Sequence, residues 1–148
     1  VFRLTTPLLI IVLATASRAA PGLKDRPGAD PDLVGDWDLK SLTQGSEPVW
    51  LGAIATQTEF TADGQRVSRN RNGVIVATAR YAADRGKTPR EFDLRHPADG
   101  PVTSRGVYSI DGDTLTVFYV TDPKADRPAK LEAPAGSKVF QAVYVRRR

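Results

Sequence analysis

The sequence predicts an all-β domain, an antiparallel barrel or sandwich of about eight short strands. Three observations predict it. Apolar residues recur with a period of two in one segment after another, the pattern of strands that bury a single face. Glycine- or proline-marked connections separate most of these segments. No stretch keeps a helical period beyond a turn or two. Closing the sheet into a barrel would remove the edges that its polar strands otherwise expose.

The elements follow in order. In DLVGDWDLKSL, Trp37 and Leu39 fall on one side of an extended chain while Asp36, Asp38 and Lys40 fall on the other, which gives the first strand. GSEPVW, 45–50, is a turn and then an apolar stretch. Ile54, Thr56, Thr58 and Phe60 alternate with Ala55, Gln57 and Glu59 as the second strand, and ADGQ, 62–65, turns the chain back. The return, QRVSRN, has Val67 as its one apolar residue and reads as a weak or edge strand. Asn72 and Gly73 mark another hairpin before VIVATARY, whose β-branched residues favour a strand. EFDLRH sets Phe92 and Leu94 against Asp93 and Arg95, and PADGP ends it because proline cannot join a ladder.

GVYSIDGDTLTVFY, 106–119, places Tyr108 and Ile110 on one face before an acidic turn and Leu115, Val117 and Tyr119 on one face after it. A two-residue loop at Asp111 and Gly112 would pair Ile110 with Asp113, and a four-residue loop from Asp111 to Thr114 would pair it with Leu115. Both keep the apolar sets together because they differ by two residues. Asp111 and Asp113 lack the further oxygen ligands of a calcium loop, so the segment reads as a corner of the sheet. The proline-rich loop DPKADRPAKLEAPAGS, 122–137, leads to the last strand, KVFQAVYVRR.

Residues 1–19 have the layout of a secretory signal peptide: Arg3, an apolar run from Leu8 to Ala14, and the small residues Ser17 and Ala19 before cleavage. The run is roughly half of the ~20 apolar residues that span a bilayer, so no transmembrane anchor is expected in the mature chain. Residues 20–32, with three prolines, are an irregular leader, and the domain occupies 33–148. The expected destination is the periplasm, the cell surface or the medium. The formal charge is +4, but Arg3 and Arg18 leave with the leader and Arg146, Arg147 and Arg148 end the chain. The 21 Lys and Arg less these five leave 16 against 17 Asp and Glu in the body. A near-neutral body predicts no specific nucleic-acid partner, and the arginine triplet reads as a solvated tail.

Function classes narrow on composition. The chain has no cysteine and one histidine, His96, which ends a polar strand and reads as a rim or surface residue. No serine stands in a nucleophile-elbow context, and Glu59 and Asp93 alternate away from the apolar residues onto the wetter face. No catalytic residue, no metal site and no cofactor is expected from these residues.

GDW at 35–37 on the first strand is similar to the Gly-x-Trp signature of the lipocalins. More specifically, LVGDWDLKSL at 33–42, TEFTADG at 58–64, GVYSIDGDTLTVFY at 106–119, DRP at 126–128 and the ending VFQAVYVRRR occur in an order that resembles an uncharacterised lipocalin-like domain family expanded in planctomycete bacteria. The resemblance implies a small, monomeric calycin-type barrel, exported and without an established activity. It also implies that Trp37 packs at the closed end beneath an arginine of the final strand, for which Arg146 is the best match if Phe140, Ala142, Tyr144 and Arg146 face inward. Such barrels are filled with side chains or hold one small ligand. Phe60, Phe92, Tyr108, Val117, Tyr119 and Tyr144 are the residues expected to line a cavity or to fill the core. The expectation is therefore a non-catalytic binding or structural module, with a small apolar molecule or an extracytoplasmic protein as partner. A small secreted enzyme using polar residues at the barrel mouth is the alternative.

Overall fold

The computed structural model describes residues 30–51 and 55–148. The signal-peptide segment 1–19, leader residues 20–29 and Ile54 of the second predicted strand lie outside them. Nine strands run in chain order: β1 (Gly35–Gln44), β2 (Glu47–Pro48), β3 (Gln57–Phe60), β4 (Gln65–Arg69), β5 (Ile75–Asp84), β6 (Arg90–Arg95), β7 (Val102–Asp111), β8 (Thr114–Val120) and β9 (Phe140–Arg146). From β3 to β9 each strand pairs antiparallel with the next, and β1 pairs with both β3 and β9. The result is a closed, eight-stranded antiparallel barrel, to which β2 adds a two-residue extension on β1.

Closure decides between the two readings of QRVSRN: it is a weak strand and not an edge, because β4 is hydrogen-bonded to β3 on one side and β5 on the other. It reads as an edge because its inward face carries Arg66 and Ser68, opposite Phe60 and Thr58, where a solid core would carry apolar residues.

Trp37 and Leu39 face the interior as alternation requires, and so does the buried Leu42, which is out of phase with them. A register shift between Leu39 and Ser41 against β9 supplies the missing residue of phase, as a β-bulge does. In the opening corner of the sheet, Ile110 pairs with Leu115 and Asp111 with Thr114. Only Gly112 and Asp113 remain in the turn, with Gly112 at φ 57°, so glycine takes the first central position as in type II′ hairpins.

The interior is built from Trp37, Phe60, Tyr81, Phe92, Tyr108, Leu115, Val117 and Tyr144. Phe92 lies over Gly106 of the adjacent strand, where a Cβ would stand 2.3 Å from the ring and 2.4 Å from the Phe118 carbonyl oxygen. That close approach requires glycine.

A second apolar layer lies outside the barrel. Ala82, Val107, Phe118 and Val120 are buried although they alternate away from the interior. The 121–139 connection follows them, and its Arg127 donates hydrogen bonds to the Phe92 and Gly106 carbonyls at 2.7 and 3.1 Å. The same guanidinium binds Asp93 at 2.8 Å. Asp93 thus points away from the core as predicted but is buried rather than wet, because a charged partner satisfies it there.

Candidate functional site

The two ends of the barrel differ in chemistry. The closed end is sealed by the segment just before β1. Leu33 enters the interior, and the Trp37 indole Nε1 donates to its carbonyl at 2.8 Å. The Arg146 guanidinium lies 4.1 Å from the centroid of the indole ring and donates to the Val34 and Asp32 carbonyls at 3.0 and 2.6 Å. Gly35, at φ 130°, gives that guanidinium room: a Cβ there would sit 3.0 Å from it. Phe140, Ala142, Tyr144 and Arg146 are therefore the inward face of β9, since Trp37 pairs with Arg146 and Leu39 with Tyr144.

Sequence reasoning missed Asp30, which stands in a proline-rich stretch that looks like leader. Its side chain is fully buried, accepts a 2.6 Å hydrogen bond from the Tyr108 hydroxyl, and pairs with Arg90 at 2.9 Å. Burial and this bond to a carboxylate hold the Tyr108 phenol well above its ordinary range. Nearby, the Tyr81 hydroxyl donates to the Thr61 carbonyl at 2.7 Å, and burial pushes its phenol up to about 12.

Of the terminal arginines, Arg146 departs from the solvated tail by lying on the indole, whereas Arg147 and Arg148 are exposed and form surface ion pairs with Asp38 and Asp113. The cause is the closing pair β1–β9, which runs these side chains past carboxylates on β1 and in the β7–β8 turn.

Above Phe60 and Phe92 the interior is not filled. A cavity of about 250 Å³ is lined by Phe60, Arg66, Phe92, Leu94, Ser104, Val117, Tyr119, Thr121 and Tyr144. The space exists because neighbouring inward positions are small: Ala77, Ala79 and Ala83 on β5, and Ser104 and Gly106 on β7. Five of the six predicted lining residues, Phe60, Phe92, Val117, Tyr119 and Tyr144, meet around this cavity. Tyr108 lies deeper, beside a gap of about 20 Å³ shared with Leu33 and Tyr81. Tyr119 stacks on Phe140, centroids 5.2 Å apart, and burial pushes its phenol up to about 12 despite the opposing charge of Arg66. Arg66, Leu94, Ser104 and Thr121 were not singled out from the sequence. The signal that could have found Arg66 was its place two residues from Ser68 on a strand too polar to be filling a core.

His96 is exposed, and its Nδ1 lies 2.9 Å from the Thr78 carbonyl, which makes that nitrogen the donor. No hydrogen bond or ion pair joins it to a serine or a carboxylate among the described residues. Among those residues no group of three His, Asp or Glu side chains converges in metal-binding geometry, and no helix is long and apolar enough to cross a membrane. The chain matches no family model, no curated protein and no solved structure, so the closed antiparallel barrel and its cavity carry the functional argument.

Proposed function

We propose that this protein is an exported, monomeric, non-catalytic binding module that holds one small, largely apolar molecule inside its barrel. The observation that carries the reading is the cavity of about 250 Å³ within a lining that is mainly aromatic and aliphatic. Ligand sites are commonly concave and mostly apolar, with few polar groups to fix orientation. A dry apolar cavity of about 150 Å³ accepts benzene, so this one has room for on the order of ten non-hydrogen atoms. Export rests on the short apolar run and small residues of 1–19. Kinship with the lipocalin-like family rests on the ordered motifs, to which the stack of Arg146 on Trp37 adds support.

The test uses indole, a neutral probe of suitable size, titrated into the isotope-labelled protein and followed by amide chemical shifts and calorimetry. Saturable one-to-one binding is expected, with shifts centred on Phe60, Phe92, Val117, Tyr119 and Tyr144. Ser104→Phe, which fills the cavity from β7, should abolish it. Absence of saturable binding, or equal binding to the filled variant, would overturn the reading.

A further inference from the structure

The described arginines that are half-buried each hold a partner, with one exception. Arg69 pairs with Glu59, Arg90 with Asp30 and Arg127 with Asp93. Arg95, Arg105 and Arg146 donate to backbone carbonyls. Arg66 lines the cavity, and neither an ion pair nor a hydrogen bond joins it to any described residue. A half-buried guanidinium without a protein partner is left to water, and an anion entering the cavity can take the water's place on it.

A second observation is independent of the first. Thr58 and Ser68 are each 2 % exposed, and among the described residues their hydroxyl oxygens are the buried side-chain polar atoms left without any hydrogen-bond partner. They stand directly opposite each other on β3 and β4, on the same inward face as Arg66 and Phe60. Neither hydroxyl lines the cavity, but both stand on the inward face that carries Arg66, at the next inward pair along the ladder from it. Buried polar atoms are rarely left unpaired, so two such hydroxyls beside the unpartnered Arg66 mark this as the polar wall of the interior.

We infer that Arg66, with Ser68 and Thr58 behind it on the same face, receives the carboxylate of a small amphiphilic acid whose apolar body occupies the cavity. This rests on the cavity reading proposed above and adds the chemical class of its occupant. The guanidinium offers two parallel N–H donors that match a carboxylate's two oxygens, and such bonds are stronger than neutral ones. Phe60, Phe92 and Val117 would pack the hydrocarbon.

Calorimetry with octanoate and with octanamide, which has the same number of non-hydrogen atoms but no charge, tests the inference, with indole as the neutral control. Octanoate should bind at least tenfold more tightly than octanamide. Arg66→Gln should remove that preference, bringing octanoate and octanamide to the same affinity, and Arg66→Lys, which keeps the charge, should retain part of it. Equal affinity for octanoate and octanamide in the unaltered protein overturns the inference whatever the variants do, while indole binding would still uphold the cavity. An Arg66→Gln protein that keeps the full octanoate preference overturns it equally. If none of the three probes binds, the cavity reading falls and the inference with it.

Discussion

Trp37 and Arg146 tie the two strands that close the barrel, so their removal measures what closure is worth. Trp37 is 1 % exposed, and truncating a buried tryptophan to alanine costs about 3–5 kcal/mol in transfer and cavity free energy. The Leu33 carbonyl also loses its donor at 2.8 Å, which places the expected cost of Trp37→Ala toward the upper part of that range. Arg146→Ala removes the cation from the indole face, about 1 kcal/mol for a partly desolvated pair. It also removes two charged donors from the Val34 and Asp32 carbonyls. Those bonds are worth about 1.5–3 kcal/mol each when buried and less here, where water can replace the guanidinium. A total of about 2–3 kcal/mol is expected. The double variant should be less destabilised than the sum of the singles by about 1 kcal/mol, because the stack is lost only once. Urea unfolding of the four proteins, followed by far-ultraviolet circular dichroism so that loss of a fluorophore does not matter, gives all three quantities. A cost below about 1 kcal/mol for Trp37→Ala would refute its place as the seal of the closed end. A coupling indistinguishable from zero would leave the indole buried but deny the stack any energy of its own.

Two further outcomes follow from the interior. Gly106→Ala puts a methyl into the Phe92 ring and the Phe118 carbonyl, and because the second obstacle is backbone it should cost at least about 2 kcal/mol; Phe92→Leu should recover only part of this, and a Gly106→Ala protein of unchanged stability in thermal unfolding would contradict the packing. Tyr81 and Tyr108 have phenols raised above the ordinary 10, chiefly by burial, so the folded state retains their protons longer than the unfolded chain does. Their contribution to stability is complete below pH 10 and is lost as pH rises toward 12 for Tyr81 and beyond it for Tyr108, at about 1–1.4 kcal/mol per pH unit for each. Stability measured between pH 9 and pH 12 should fall with a slope that Tyr81→Phe reduces, and an unchanged slope in that variant would show that Tyr81 does not contribute.

The sequence carried the barrel's strands and their faces because a half-buried strand must alternate, and alternation survives in the sequence whatever the strand's neighbours are. Trp37 with Leu39, Phe92 with Leu94, and Leu115 with Val117 and Tyr119 all stand on the side their spacing indicates. What pairing register adds is invisible to such reasoning. The bulge that brings Leu42 inward, the carboxylates that meet Arg147 and Arg148, and the Arg127 bridge to Asp93 each depend on which strand lies alongside which. Asp30 was hidden for another reason: its partners Arg90 and Tyr108 are 60 and 78 residues away, and nothing local distinguishes a buried aspartate from a solvated one. The cavity lies between these cases. A set of inward aromatic residues is the same whether the interior is full or hollow, and only the small residues opposite them decide it. Ala77, Ala79 and Ala83 alternate along β5 in plain view, while Arg66 and Ser68 alternate along β4. Taken strand by strand, these look like a weak strand and a bland one. Paired side by side in a closed barrel they become one wall that leaves space and another that places charge and hydroxyls on the inner surface, which is what a small, oriented ligand would require.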